Sequence, residues 1–381
     1  MKVLFVSSLW PPVAIGGAEV YAQRLAAQLR SRGHDVVTVT QGVTGDDVIE
    51  SSPPWPYRLD AYHEQAGWKR GISHARDLYD PVSASVVRRA MATFAPDVVH
   101  SHSVAGMSAA VLTAPSAAGR AHVHHLHDYW LLCERTSFER DGQNCERRCA
   151  GCVTYRTVRS ALLRRHGPDR LIAVSDYVAG VHQQLDWTEG RIEVLPLPSE
   201  EVEASARRPA DAPLTFGFIG QVAPHKGVRT LLRAFADLQI DGARLLVAGR
   251  GSLEAEVVGP DVTALGWVDG DDRDAFWHSI DCLVVPSEWA EPAGLVAVEA
   301  RGRGIPVIAA NTGGLLESTD DRSRALVFEP GDREGLVASM RRFAADRARF
   351  RPGPESRGQR WADHTAAVER VYEEAIARRR G

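Results

Sequence analysis

A strand-then-helix rhythm that runs once, breaks at a cluster of prolines, and starts again constrains this chain more than any single motif. Short apolar runs occur at residues 2–7, 35–40, 97–100, 121–125, 170–175 and 191–195, and helix-patterned stretches such as residues 17–32 separate them. Residues 196–213 interrupt the series with Pro196, Pro198, Pro209 and Pro213 among charged residues, the composition of a linker. The rhythm then restarts with a strand at 215–219, a helix at 227–238, and strands at 244–248, 282–285, 306–309 and 325–328. Alternation of this kind predicts α/β architecture with parallel sheets. The expected fold is two Rossmann-like parallel-sheet domains facing a central cleft. Their bounds are 1–198 and 213–360, with a linker at 199–212 and a final helix at 361–381 that crosses back to the first domain. Open parallel sheets bind ligands beyond the carboxyl ends of their strands, so the loops that follow strands are where chemistry is sought.

Composition narrows the partners. A formal charge of −4 over 381 residues does not supply the basic surface that nucleic acid requires. No run of apolar residues approaches a membrane span. The opening Met1-Lys2-Val3-Leu4-Phe5-Val6 is too short for the apolar part of a secretory signal, and Pro11-Pro12 follows it, so a cytoplasmic location is expected.

Glycines and charges mark the loops. Gly16-Gly17-Ala18-Glu19 follows the first strand and opens a helix, where free N–H groups suit an anion. A nicotinamide fingerprint would need G-x-G-x-x-G here and an acid closing the second strand; Thr40-Gln41-Gly42 stands there instead. In the second half, Gly220-Gln221-Val222-Ala223-Pro224-His225-Lys226-Gly227 takes the equivalent place. Only three of the 45 cationic residues are lysines, and Lys226 is the last of them. A compact ammonium aimed at phosphate explains its retention in an arginine-rich chain. Gly249-Arg250-Gly251 and Gly266-Trp267 end later strands and could offer backbone or a flat face to a nucleotide base. Finally Glu291 and Glu299 lie eight positions apart across a helix start at Pro292 and Gly294. That spacing could hold hydroxyls on either side of a diphosphate seated on the helix N-terminus, although two unrelated glutamates beside a helix would look the same.

Taken in order, the Gly16-Gly17 loop, His127-Asp128, Lys226-Gly227, Gly249-Arg250-Gly251 and the Glu291–Glu299 pair resemble the retaining glycosyltransferases of family 4, which have the GT-B fold. The resemblance spans nearly the whole chain. It implies that Gly16 and Gly17 approach the donor diphosphate and that His127 reaches hydroxyls of the transferred sugar. It implies that Lys226 neutralises the leaving diphosphate, Glu291 holds sugar hydroxyls, Gly294 and Leu295 offer N–H groups to phosphate, and Glu299 grips the ribose. The family needs no metal for chemistry and retains configuration through front-face attack. One position departs from the pattern: Gln221 stands where the family commonly has arginine, which removes a charge from the diphosphate site. Function is therefore expected to be transfer of a sugar from a nucleoside diphosphate, UDP or GDP, to a hydroxyl-bearing acceptor in natural-product or cell-envelope glycan synthesis. A nucleotide-sugar epimerase or phosphorylase on the same fold is the alternative enzyme. A zinc-containing interaction module on a degenerate scaffold is the non-enzyme alternative.

Three further clusters need a reading. The histidines at 100, 102, 122, 124, 125 and 127 are read mostly as packing residues, with His102 the one weighed for a direct role and His127 the better supported. Cys133, Cys145, Cys149 and Cys152 fall within twenty residues, and in a cytosolic chain they suit a structural tetrahedral zinc better than disulfides. Free thiols or a redox pair stay open, and Arg135, Arg147 and Arg148 are expected to favour thiolates. Arg156, Arg159, Arg164, Arg165 and Arg170 form a basic stretch, read as a solvated helix face against weak peripheral contact with an anionic membrane.

Overall fold

The computed structural model describes residues 1–13, 16–54, 66–140, 143–145, 147–199, 212–321, 326–351 and 358–380; the side chains of Arg140 and Gln143 are outside the description. The expected linker at 199–212 falls almost wholly outside it. The chain divides into two compact units. One comprises Met1–Ser137, Arg147–Leu195 and Ala362–Gly381; the other comprises Phe138–Glu146 and Pro196–Trp361. None of the helices among the described residues is long and apolar enough to cross a membrane.

The first unit runs β1 (Lys2–Val6), α1 (Gly17–Ser31), β2 (Asp35–Gln41), β3 (Val48–Ser52), α2 (Gly67–Leu78), α3 (Pro81–Phe94), β4 (Val98–Ser101), α4 (Ala109–Ala117) and β5 (Ala121–Leu126). A hairpin of β6 (Glu139–Arg140) and β7 (Gln143–Asn144) follows and belongs to the other unit. The first unit resumes with α5 (Ala150–His166), β8 (Arg170–Ala173), α6 (Asp176–His182) and β9 (Ile192–Val194). Its seven strands lie in the order β3-β2-β1-β4-β5-β8-β9, and every pairing is parallel. Central strands of such a sheet are covered on both faces, which is why β4 and β5 are buried at every residue, polar ones included. The edge strand β3, Val-Ile-Glu-Ser-Ser, has no apolar alternation to announce it. It becomes a strand through its ladder with β2.

The second unit contains β10 (Thr215–Ile219), α7 (Val228–Leu238), β11 (Arg244–Ala248), β12 (Val262–Gly266), α8 (Gly270–Ser279), β13 (Cys282–Val285), α9 (Leu295–Gly302), β14 (Val307–Ala310), β15 (Val327–Phe328) and α10 (Arg333–Ala345). The sheet order is β12-β11-β10-β13-β14-β15, again all parallel. Alternation along β13 sends Cys282 and Val284 to one face and Leu283 and Val285 to the other. On the first face, α7 buries Val228, Leu231, Phe235 and Leu238, spaced three or four apart, beside Leu336, Met340 and Phe343 of α10. On the second face, Phe276 and Trp277 of α8 meet Ala297 and Ala300 of α9. Helices therefore cover both faces of the sheet.

The last helix, α11 (Trp361–Arg380), groups with the first unit from Ala362 onward. Its buried face carries His364, Val368, Val371, Tyr372 and Ala375. Tyr21 meets His364 at 2.6 Å, His100 meets Tyr372 at 2.7 Å, and Arg32 bonds Glu369 through both of its carboxylate oxygens. The basic stretch does not form a uniformly solvated face. Arg159 is fully buried, bonded to Asp77 and the carbonyl of Trp130, with its guanidinium over the Trp130 and Tyr155 rings. Arg164 pairs with Asp186, and Arg170 with Glu193 and Glu374.

Candidate active site

In each sheet the chain reverses its direction of progress at one place, between β1 and β4 in the first unit and between β10 and β13 in the second. Loops leaving adjacent strands diverge there, which opens a crevice at the strands' carboxyl ends. In the second unit these two loops carry Lys226 and Glu291.

The loop after β10 winds through a short 3-10 turn, Pro224–Lys226, into Gly227 at φ +69°. A side chain at Gly227 would overlap the carbonyl of Pro286, so only glycine lets the two loops close on each other. The backbone amides of Glu288 and Trp289 donate to the carbonyl of His225, at 2.9 and 3.3 Å, and fasten the loops together. Across this seam Lys226 Nζ donates to Glu291 Oε1 at 2.6 Å, and Ser287 Oγ donates to the same oxygen at 2.6 Å. The ammonium also lies 4.9 Å from the centre of the Trp289 ring. Burial by itself would raise the Glu291 carboxyl. The charge of Lys226, with hydrogen bonds from Lys226, Ser287 and Trp289, outweighs it and holds the group below its usual value. The result is a fixed anion beside a fixed cation, each able to exchange its partner for a ligand.

Gly294, at φ +99°, precedes α9 without any side-chain cap, and the carbonyl of Gly294 takes up only the amides of Ala297 and Val298, so Leu295 and Val296 are the N–H groups at the helix start that it leaves. Glu299 is the fifth residue of that helix, buried, and paired with Arg273 of α8. Gly249 packs where a side chain would overlap the carbonyl of Gly220, which brings β11's loop against β10's; the amide of Val222 donates to the Arg250 carbonyl at 2.9 Å. Gln221 and Arg250 are exposed. Gly266 ends β12 with φ +68°, and Trp267 beyond it is 60% exposed, its indole N–H donating to Asp269 at 3.2 Å. An exposed indole at a strand's carboxyl end is a flat surface without a packing role. The structure thus brings together Lys226 and Glu291 directly, and gathers Gly249 and Arg250 beside the loop that holds Gln221.

Four partners in this unit carried no sequence signal. Ser287 and Trp289 act through the folded loop. Arg273 was hidden by the abundance of arginine. Asn144, on the hairpin, donates from Nδ2 to the Glu288 carbonyl at 2.7 Å and accepts from the Ala290 amide at 3.0 Å, bracketing the segment that delivers Glu291.

In the first unit Gly16 precedes α1 in extended conformation, its amide donating to Glu19 at 3.0 Å, and Gly17 begins the helix. His127 follows β5 with its Nε2 3.1 Å from His102 Nδ1, and its ring stacks on His125 at 4.3 Å between centroids. Burial lowers the His127 imidazole to about 3, with His124 adding to the effect, so it is neutral at ordinary pH. Next to it Asp128, which accepts from the Trp130 amide at 2.8 Å, is raised by burial to about 6.

Of the four cysteines between residues 133 and 152, Cys133, Cys149 and Cys152 lie in the first unit and Cys145 in the second. Cys133 Sγ and Cys152 Sγ are 3.6 Å apart, and Cys149, at the start of α5, accepts from the Cys152 amide. Cys145 is exposed, next to β7, whose Asn144 bonds residues 288 and 290. Not all of the thiols are favoured as thiolates. The hydrogen bond from the Cys152 amide lowers Cys149, but burial pushes Cys152 up to about 12.

Comparison with known proteins bears on the family and the fold. The family Glycosyltransferase Family 4 matches residues 15–198, and Glycosyl transferases group 1 matches residues 200–360. A glycogen synthase of Mycobacterium tuberculosis is 26% identical over all of this chain and 96% of its own length. A D-inositol 3-phosphate glycosyltransferase of Stackebrandtia nassauensis is 28% identical over 96% of this chain and 88% of its own. Among solved structures, sucrose-phosphate synthase from Thermosynechococcus elongatus superposes with a TM-score of 0.76 at 20% identity, covering 99% of both chains. Anabaena HepE in complex with UDP-glucose gives 0.67 at 18% identity, covering 99% of this chain and 98% of its own. These likenesses carry the GT-B fold of two Rossmann-like domains.

Proposed function

Because this chain belongs to the family 4, group 1 glycosyltransferases, we propose that it moves a sugar from UDP or GDP to an acceptor hydroxyl with retention of anomeric configuration, Lys226 and Glu291 acting on either side of the bond that breaks. The observation that carries the reading is the 2.6 Å ion pair between them, at the switch point of the second sheet and just before the uncapped start of α9. A diphosphate has the charge to draw Lys226 toward itself, and the N–H groups at Leu295 and beyond suit its oxygens. Glu291, released from Lys226, then accepts from sugar hydroxyls, while Glu299 exchanges Arg273 for the ribose hydroxyls. Trp267 offers its face to the base. On the acceptor side, neutral His127 exchanges hydrogen bonds with the transferred sugar.

In the chemical step the bond from the anomeric carbon to the diphosphate oxygen breaks, and its electron pair stays on that oxygen. The acceptor oxygen bonds to the same face, and its proton passes to the departing phosphate. Lys226 stabilises the charge that grows on the leaving oxygen, more in the transition state than in the ground state. Membership of an enzyme family sets aside the interaction-module reading. A panel of UDP-, GDP- and dTDP-sugars in thermal-shift assays identifies the donor, and nuclear magnetic resonance of the product reads its anomeric configuration. An inverted product would overturn the mechanism, and turnover of donor with no acceptor required would favour the epimerase reading.

A structural zinc ion on Cys133, Cys145, Cys149 and Cys152 belongs to the same proposal. Zn–S bonds of about 2.3 Å in a tetrahedral site bring sulfurs to about 3.8 Å, close to the 3.6 Å between Cys133 and Cys152. It would pin the loop after His127 to the start of α5 and take no part in catalysis.

A further inference from the structure

The first unit buries a second group of metal-binding side chains that neither the transfer reaction nor the cysteines account for. His100 lies in β4, His102 just past its end, and His125 in the neighbouring β5; all three are at most 1% exposed. One ring nitrogen of each lies within 4.8 Å of one from each of the others. Four buried nitrogens here make no hydrogen bond: Nε2 of His100, Nε2 of His102, and both nitrogens of His125. Interior imidazoles are ordinarily satisfied, so four orphaned nitrogens on three neighbouring rings call for an occupant. The opposite edges of two rings are already fixed. His100 Nδ1 pairs with the Tyr372 hydroxyl at 2.7 Å and His102 Nδ1 with His127 Nε2 at 3.1 Å. That is the arrangement of metal-bound histidines, in which a partner on the far nitrogen sets the tautomer and leaves the near lone pair for the ion.

We propose that His100 Nε2, His102 Nε2 and one nitrogen of His125 form a binding site for a divalent transition-metal ion, zinc by preference. An all-imidazole set without carboxylates suits zinc, copper, nickel or cobalt and excludes magnesium and calcium, which take oxygen ligands. Zn–N bonds of about 2.0–2.1 Å place ligand nitrogens about 3.4 Å apart in a tetrahedron, so the rings need to draw in by about an ångström. A water or hydroxide would take the fourth position. The ion ties β4 to β5 and, through His100 and Tyr372, to α11. It also orients His102 against His127.

The experiment uses the full-length protein, loaded with cobalt(II) or zinc and then desalted. The histidine site should give the visible bands of four-coordinate cobalt without sulfur-to-metal charge transfer in a Cys133→Ser, Cys149→Ser, Cys152→Ser variant, and the same bands with the cysteines' charge transfer added in wild type. Elemental analysis of zinc-loaded protein should show one ion fewer per chain in His125→Gln than in wild type, with the triple-serine variant retaining that ion. Tyr372→Phe, which keeps all three ligands, should bind the metal more weakly, by roughly tenfold. Should the triple-serine variant hold no metal, or show only six-coordinate, pale cobalt spectra, the histidine site would be refuted, whatever the folding of His125→Gln. A metal complement equal in wild type and folded His125→Gln would refute it as well.

Discussion

At the scale of single residues, Lys226 and Glu291 are informative because the fold pairs them with each other, and the proposed diphosphate would compete for that pair. Gln221 adds no second charge, so Lys226→Ala should lower turnover by on the order of a hundredfold or more, and Lys226→Arg should lose less because charge survives with altered reach. Steady-state kinetics on the correct donor, with stability measured separately, decides; near-normal turnover in Lys226→Ala would detach this loop from the diphosphate. Glu299→Ala should weaken nucleotide binding by about 1.5–3 kcal/mol, since on the proposed reading it removes a charged acceptor from the ribose. Calorimetric titrations giving equal affinities would remove Glu299 from the site. Asp128 yields a prediction about pH. Its carboxyl is raised from 3.8 to about 6 by burial, so the folded state holds the proton more tightly than the unfolded state. The stability this confers is complete below about pH 4 and is lost as pH rises through about 6. Asp128→Asn should therefore be more stable than wild type at about pH 8, by ~1–2 kcal/mol once its partial exposure is allowed for, and should show no such advantage near pH 4. Denaturant melts at the two pH values measure this, and an advantage that grew toward low pH would reverse the assignment.

At the scale of elements, the site depends on how closely two loops can approach. Gly227 is required where β10's loop touches Pro286, and Gly227→Ala should cost at least ~2 kcal/mol from the positive φ together with the overlap. The hairpin of β6 and β7 acts on the other side of the same loop. Its Asn144 satisfies both a carbonyl and an amide of residues 288–290, a pattern that orders backbone without touching any ligand. Asn144→Ala should raise donor KM by about fivefold, equivalent to ~1 kcal/mol, and should speed amide exchange across residues 286–294. Unchanged exchange there would mean the hairpin is a bystander. This element was invisible in the sequence, because two-residue strands have no periodicity and Asn144 lacks any neighbouring motif.

At the scale of the whole molecule, the rhythm of apolar runs was enough to predict two parallel α/β sheets, since strands covered by helices on both faces are largely apolar. The order of the glycine loops, Lys226, Glu291 and Glu299 was enough to suggest the family, because a phosphate-binding loop needs specific residue types at specific spacings. Only the tertiary structure decided which partners those residues take: Glu291 with Lys226 and Ser287, and Glu299 with Arg273. It alone converted histidines on two strands and beyond into one buried cluster, because β4 and β5 pair in parallel and set alternate residues side by side, while α11 returns to cover them. Residue type and local spacing are written in one dimension. The pairing of charges and the burial of polar groups depend on which strands become neighbours, and that is settled only when the sheets assemble.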